Sequence, residues 1–462
     1  MIQHWHNKRA TVMGLGRFGG GVGVTRWLAT GGARVTVTDL KPAERLKASV
    51  EEIEGLDVTL RLGGHDERDF HQADLIVASP AVPDDSPFLQ TARSAGVPVT
   101  TEINLFVERC PARCVGVTGS VGKSTITAMV GHVLRETMSD GRVWVGGNIG
   151  RSLLEDLPDI TAVDIVVLEL SSFQLQHTPA VRWSPHVAVI TNITPNHLDR
   201  HGTFAAYLAA KLNIVRFQDR GRDVLVIEDA DELKHHFGLA VGDLAGVWRY
   251  GLDDDTPIAR MDCASANDRA DRRLRWPDVD LAVPGRHNRQ NAAAALTVVN
   301  TFGVFPDEAV AALSTFEGLP HRLQRVAVHD GVAYYNDSKS TTPEAAITAM
   351  NAIDSPLLVI LGGYDKGIDL ASAARVAAER TRFAACLGQT GPTLKRAVRA
   401  AGGEADVFDD LAAAVAACRR RAQAGDAVLL SPGCASWDMF EDYRARGEAF
   451  KRLVGGVGRL NG

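Results

Sequence analysis

Short apolar runs recur along the chain, each bounded by glycine, aspartate or asparagine and followed by a longer stretch with helical spacing. Unbroken runs of four to seven residues of this kind suit strands buried on both faces, and their alternation with helices predicts parallel sheets. In the first block, residues 1–110, strands are expected at Ala10–Met13, Arg34–Asp39, Ala73–Ser79 and Val97–Thr100. In the second, residues 111–318, they are expected at Asp164–Leu170, His186–Asn192 and Asp223–Ile227, with helices over Ile126–Glu136, Phe204–Val215 and from near Asn291. The polar stretch Leu252–Arg275 reads as an excursion of loops and short strands. The third block, residues 319–462, alternates again through Leu357–Gly363, Phe383–Gly388 and Ala427–Pro432. The fold class expected is α/β in three domains.

Composition narrows the function. The 462 residues exceed one ordinary core. A net charge of −6 argues against a nucleic-acid binder, whose affinity comes from concentrated basic surface. No apolar run is long enough to span a bilayer, so stable membrane insertion is not expected. The polar start, Met1–Lys8, has no signal-peptide character, and a cytoplasmic location is expected. Of the six cysteines, Cys110 and Cys114 are the one close pair, with no neighbouring pair to complete a zinc site. Reduced thiols are the expectation.

Two glycine loops carry the candidate chemistry. Gly116-Val-Thr-Gly119-Ser120-Val-Gly122-Lys123-Ser124-Thr125 follows a strand and opens a helix. Glycines there let backbone N–H groups and the helix terminus face phosphate oxygens. Lys123 reaches the β- and γ-phosphates and the Ser124 hydroxyl suits Mg²⁺. Position 117 is Val where the strict nucleotide motif has glycine. The other loop, Gly14-x-Gly16-x-x-Gly19 with Asp39 twenty residues on, matches a dinucleotide fingerprint. Beside the more specific loop it reads as a diphosphate site, with nicotinamide and a dehydrogenase as the alternative.

The remaining motifs fall into a recognisable order. They are Gly147-Asn148-Ile-Gly150, Glu169-Leu-Ser-Ser-Phe-Gln-Leu175, Asn192-Ile-Thr-Pro-Asn-His197-Leu-Asp-Arg-His201 and Lys211 after Tyr207. Further on come Gly285-Arg-His-Asn-Arg-Gln-Asn291, Leu319-Pro-His-Arg322, Asp337-Ser-Lys339-Ser-Thr341, Gly362-Gly-Tyr-Asp-Lys366-Gly and Leu430-Ser-Pro-Gly-Cys-Ala-Ser436-Trp-Asp. Together with the phosphate loop, these segments resemble the Mur ligase family, ATP-dependent enzymes that add amino acids to the peptidoglycan precursor. Glu169–Leu175 and the Cys-Ala-Ser-Trp-Asp ending are similar to the D-glutamate-adding branch. The resemblance covers nearly the whole chain. It implies an N-terminal Rossmann-like UDP-binding domain, a central phosphate-loop ATPase-like domain with a mainly parallel sheet, and a C-terminal Rossmann-like domain.

The resemblance implies amide formation by phosphoryl transfer from ATP to the carboxylate of UDP-N-acetylmuramoyl-L-alanine. An acyl phosphate forms, and the amine of D-glutamate attacks it. Such steps rest on alignment and charge neutralisation. Carried over by motif, Lys123, Glu169, His197 and Lys211 form the catalytic set. Ser124, Glu169, His197 and a carbamylated Lys211 would hold Mg²⁺, two ions in all. ATP would meet Gly119, Ser120, Gly122, Lys123, Ser124, Thr125, Asn291, Arg322, Asp337 and Lys339. Arg17, Phe18, Leu40, Lys41, Ser79, Pro80, Asn148 and Ser171 match the UDP-substrate positions, and Thr341, Lys366, Ser436 and Tyr443 those for D-glutamate. A monomer serving cytoplasmic cell-wall synthesis, and through it cell shape and division, is implied.

Read without the resemblance, Lys211 sits on a half-buried amphipathic helix and would be a solvated lysine. Several positions depart from the family pattern. Ser120-Val121 replaces Thr-Asn, Asn196 stands where Asp is common, Arg17-Phe18 replaces Leu-Thr, and Tyr443 replaces Phe. Sister ligases or a folylpolyglutamate-type enzyme are the neighbouring alternatives. The histidine pairs His4/His6 and His235/His236 read as exposed surface.

Overall fold

Parallel strands feel the core from both faces, and the apolar runs form sheets of this kind in the computed structural model. It describes residues 5–16, 19–219, 221–230, 233, 246–262, 272–277 and 279–455. The first sheet holds β1 (Arg9–Met13), β2 (Arg34–Asp39), β3 (Val58–Leu62), β4 (Leu75–Ala78) and β5 (Val99–Thr100). Its order is β3-β2-β1-β4-β5 with every pairing parallel. The chain reverses direction across the sheet between β1 and β4. Doubly wound folds bind ligands at that point, outside the carboxyl ends of the strands. The Gly14 turn and Ser79 lie there, joined by a hydrogen bond from Ser79 N–H to the Met13 carbonyl.

The second sheet contains β6 (Arg113–Thr118), β7 (Val143–Gly147), β8 (Ile165–Glu169), β9 (Val187–Ile190) and β10 (Val224–Glu228). β11 (Gly246–Asp253), β12 (Thr256–Asp262) and β13 (Arg272–Arg275) complete it. The order is β13-β12-β11-β10-β9-β6-β8-β7. β6 to β11 pair in parallel, and β11–β12–β13 form an antiparallel meander. The short strands expected in this polar stretch therefore add β12 and β13 to the sheet's edge. Its hairpin turns on Asp254 and Asp255, with φ of 46° and 62°. Left-handed residues at both central positions match the twist of the flanking strands.

The third sheet holds β14 (Gln324–His329), β15 (Val332–Asn336), β16 (Leu357–Gly362), β17 (Thr381–Leu387), β18 (Ala405–Phe408) and β19 (Ala427–Leu430). Its order is β14-β15-β19-β16-β17-β18, parallel except for β14–β15. The chain divides into two compact units. One is Met1–Pro277 with Ala292–Val310; the other is Asp278–Asn291 with Ala311–Gly462. The second unit thus takes in residues before 319. Packing explains this: a Cβ on Gly318 would lie 2.6 Å from Val283, and one on Gly285 2.8 Å from Ala352.

The helix Lys123–Thr137 shows how one element is made. Gly122 precedes it with φ of 90°, and Met138 ends it in an extended conformation. Ile126, Met129, Val130, Val133 and Leu134 recur at helical spacing and are all at most 1% exposed. Each such side chain contributes about 2 kcal/mol on burial. That face fixes the helix against the sheet, and with it the loop at its start.

Candidate active site

The phosphate loop is held from the next strand over. Ser120 N–H donates to the Asn192 carbonyl at 2.8 Å, and Val121 N–H to Asn192 Oδ1 at 2.9 Å. Thr191 Oγ1 donates to the Val121 carbonyl at 2.7 Å. Gly119 has φ of +145°, and a Cβ there would lie 1.7 Å from Thr191 Oγ1. Position 119 therefore accepts no side chain without breaking the brace. Lys123 Nζ donates to the carbonyls of Gly119 and Ser120 at 2.9 and 3.0 Å. Ser124 and Thr125 follow it in the first helical turn.

Glu169, the last residue of β8, is 3% exposed. Its Oε1 accepts from Asn148 Nδ2 at 2.8 Å, while Oε2 is buried with no hydrogen-bond partner. A buried carboxylate oxygen left this way calls for a cation or another donor. Ser171 caps the short helix Ser172–Leu175 through a reciprocal box with Gln174. The backbone after Glu169 is thereby pinned.

Lys211 differs from the solvated lysine read from its helix alone: it is 2% exposed. Helix Phe204–Arg216 packs the wrong face for solvent. Nζ donates to Thr118 Oγ1 at 3.2 Å and to the Gly119 carbonyl at 2.9 Å, directly beneath the phosphate loop. Burial, and then the like charge of Lys123, pull its pKa down to about 7, against the opposing pull of Glu169. A neutral amine is thus accessible near physiological pH.

His197 is an exposed residue with φ of 52° at the start of the short helix Leu198–His201. Partial enclosure of the ring lowers its pKa against the pull of Asp199, with Lys123 and Lys211 adding to the lowering, which favours neutral imidazole. Phe173 lies beside it with ring centroids 5.1 Å apart, and His201 stacks on Phe173 at 4.9 Å and 3°. His201 Nε2 is 2.9 Å from Ser172 Oγ. Tyr207 OH meets Ser120 Oγ at 2.9 Å, and its ring lies 4.9 Å from Lys211 Nζ. Phe173, His201 and Tyr207 stand within the quoted motifs, but no role is read for them from the sequence. Tyr207 carried a legible signal, since it stands four residues before Lys211 on one helix face. Phe173 and His201 belong to separate motifs, and only the fold brings their rings together.

Leu40, Lys41, Ser79 and Pro80 gather at the carboxyl ends of β2 and β4, and Leu40 is 70% exposed. Arg17 and Phe18 lie outside the described residues, as do His4, His235 and His236. Asp39 does not present a free carboxylate to a ribose. Oδ2 accepts from Gly16 N–H at 3.2 Å and Oδ1 from Lys41 N–H at 2.9 Å, so it shapes the glycine turn. This weakens the dehydrogenase alternative. Gln176 Nε2 donates to Asp84 Oδ2 at 2.5 Å, and Glu102 accepts from Ser152 Oγ, tying the first two sheets together. A cavity of about 660 Å³ opens among Arg9, Arg34, Thr36 and Thr59, at the amino ends of β1 to β3, away from these loops.

In the second unit, Asn291 Nδ2 donates to Asn288 Oδ1 at 3.2 Å. Arg322 is exposed, and it opposes the effect of burial on Asp337, whose pKa rises to about 6. Asp337 Oδ1 accepts from Leu323 N–H and Oδ2 from Ser431 Oγ, so its oxygens also serve the local turn. Thr341 and Lys366 line a small pocket with Tyr364, Thr390, Gly433 and Cys434. Ser436 is 2% exposed, and the Tyr443 ring lies 5.7 Å from Lys339 Nζ. Beneath these loops Arg446, 1% exposed, donates to Ser338 Oγ, Ser338 O, Cys434 O and Ala435 O at 2.9–3.4 Å. Burial pulls its pKa down to about 10. Nothing local in the sequence distinguishes it from the other arginines of its helix.

Three domain models cover most of the chain: a Mur ligase MurD-like N-terminal domain over residues 8–101, a Mur ligase middle domain over 117–299, and a Mur ligase glutamate ligase domain over 321–434. The UDP-N-acetylmuramoylalanine--D-glutamate ligase of Roseiflexus sp. (strain RS-1) is 42% identical over 97% of this chain and 98% of that protein. The ligase of the same name from Symbiobacterium thermophilum is 37% identical over 97% and 98%. Among solved structures, UDP-N-acetylmuramate-alanine ligase MurC from Thermotoga maritima shares the fold, with a TM-score of 0.60, 19% identity, and 98% and 100% coverage.

Proposed function

Because this chain belongs to the Mur ligase family, we propose that it is the ATP-dependent ligase joining D-glutamate to UDP-N-acetylmuramoyl-L-alanine. The observation that carries the reading is the 42% identity, over nearly the full length of both chains, to a relative bearing that name. In this reading residues 1–110 bind the UDP-sugar peptide, 111–318 bind ATP, and 319–462 contribute to ATP and D-glutamate binding. The enzyme works as a cytoplasmic monomer; among the described residues no helix is long and apolar enough to cross a membrane.

The residues fit Mg²⁺. Glu169 Oε2 is a buried carboxyl oxygen without a donor, and the neutral ring of His197 and the Ser124 hydroxyl supply further ligand atoms. The described residues contain no cluster of three His, Cys, Asp or Glu side chains around a metal position. Carbamylation of Lys211 answers this lack. Its neutral amine takes up CO₂ and becomes an anion facing the same region. Bound Mg²⁺, two ions in this reading, supplies neutralisation of the transferring phosphoryl group. Lys123 steadies the β- and γ-phosphates, and Asn291, Arg322, Asp337 and Lys339 meet the rest of the nucleotide. Leu40, Lys41, Ser79, Pro80, Asn148 and Ser171 line the path of the UDP substrate. Thr341, Lys366, Ser436 and Tyr443 receive D-glutamate, whose two carboxylates need cationic and hydroxyl donors.

The test is phosphate release from purified protein, with dependence on ATP, the UDP-muramoyl-alanine acceptor and D-glutamate together. A panel of amino acids and acceptors accompanies it. Strict preference for another amino acid, or for a folate acceptor, overturns the assignment.

A further inference from the structure

Outside the catalytic loops, one pair of reactive groups stands apart from everything the ligase reading uses. Cys114, the second residue of β6, is held by pairing with Val166 and by its own N–H donating to His186 Nδ1 at 3.0 Å. Cys110 lies four residues earlier, in the connection from helix Glu102–Val107 into β6, and is partly exposed. Their sulfurs are 3.9 Å apart, with the Cys114 thiol hydrogen-bonded to Cys110 Sγ. It also lies 3.6 Å from the Ala112 carbonyl.

We propose that Cys110 and Cys114 form a dithiol site that closes to a disulfide with low-molecular-weight disulfides as its oxidants. Three features of the arrangement support it. The sulfurs must close by about 1.9 Å to reach bonding distance, and the movement falls on Cys110, which sits in a connection rather than in the sheet. One thiol is reachable from solvent while its partner is buried behind it, the arrangement of an attacking and a resolving sulfur. Hydrogen bonds from Cys114 and from the Ala112 N–H favour the Cys110 thiolate, with partial burial and then Asp164 opposing. The contrast with the other described cysteines is direct. Cys386, Cys418 and Cys434 are buried, and burial raises their thiols, the first two to about 12.

The chemistry balances without any further reagent. The Cys110 thiolate attacks one sulfur of the oxidant, forming a mixed disulfide and expelling the first small thiolate. That thiolate, or solvent, takes the Cys114 proton. The Cys114 sulfur then attacks Cys110 Sγ and expels the second. Cys110 and Cys114 are oxidised, and one small disulfide is reduced to two thiols. The site stands on this geometry alone and holds whether or not the chain proves to be a D-glutamate ligase.

The sequence supplies a clean assay. Trypsin cuts after Arg109, Arg113 and Lys123, so Cys110–Arg113 and Cys114–Lys123 are separate peptides unless their sulfurs are joined. The full-length folded protein is treated with oxidised glutathione at mildly alkaline pH, alkylated, and digested without reductant. The two peptides are expected as one linked species, lighter by two hydrogen atoms than their sum, and separated again by dithiothreitol. Cys110→Ser should abolish the linked species. Cys114→Ala should leave Cys110 as a stable glutathione adduct. Separate, fully alkylated peptides in the treated parent overturn the proposal. So does a parent in which Cys110 keeps glutathione while Cys114 stays alkylatable.

Discussion

Lys211 provides the sharpest quantitative test, because its environment imposes a pH-dependent cost on folding. Burial beside Lys123 brings its pKa from 10.5 to about 7. At about 1.4 kcal/mol per pH unit, the folded state forgoes about 5 kcal/mol of protonation free energy that the unfolded chain keeps. The sign follows from proton counts. Below pH 7 both states hold the proton and the full cost is present. Between pH 7 and 10.5 the unfolded chain binds more protons than the folded one, so stability rises with pH; above that window the cost is gone. Lys211→Met keeps most of the packing and removes the titration. Relative to the variant, the parent should gain about 2.5 kcal/mol between pH 7.5 and 9.5. Urea titrations followed by tryptophan fluorescence, in carbonate-free buffer at both pH values, read this difference. Parallel behaviour of parent and variant across the two pH values would refute the reasoning. The amine would then be solvated in the folded protein, and its accessibility to CO₂ would lose its physical basis.

Two further expectations concern groups remote from the nucleotide loop. Glu102 is half-buried with its carboxyl enclosed against Ser152, and burial pushes its pKa up to about 7 from 4.5. The folded state therefore binds more protons between those values, and stability falls as pH rises through that window and stays reduced above it. Glu102→Gln should raise stability at pH 8 by about 3 kcal/mol and leave it near the parent's at pH 4.5; thermal melts at the two pH values check this. Arg446 ties the Ser338 turn to the Cys434–Ala435 segment through backbone carbonyls. Arg446→Met leaves those carbonyls without donors and should cost about 3 kcal/mol. Arg446→Lys should fold, raise KM for D-glutamate severalfold and leave KM for ATP unchanged. Equal KM values for D-glutamate in parent and variant would exclude a role in shaping that pocket.

What was legible in the chain follows from which interactions are local. The runs Val187–Ile190 and Leu357–Gly362 are apolar throughout, and such segments are buried strands wherever they end up. The phosphate loop was legible because glycine at 119 and 122 and lysine at 123 answer a purely local demand, positive φ followed by a helix. Where the chain meets itself was not legible. The meander β11–β13 joined the sheet because a two-aspartate turn matches strand twist, although its polar residues had suggested an excursion.

Charge and burial also depended on partners distant in sequence. Helical periodicity placed Lys211 on an amphipathic surface, but only the packing of that helix under Thr118 and Gly119 turned a commonplace lysine into a buried amine. Arg446 took its meaning from turns 11 to 108 residues away. Glu169 kept one unpartnered buried oxygen because Asn148 reached only the other. Residue type and spacing determined the strands, the glycine turns and the kinds of chemistry available. Tertiary packing decided which side chains lost their water, because desolvation is a property of the assembled neighbourhood and not of any segment within it.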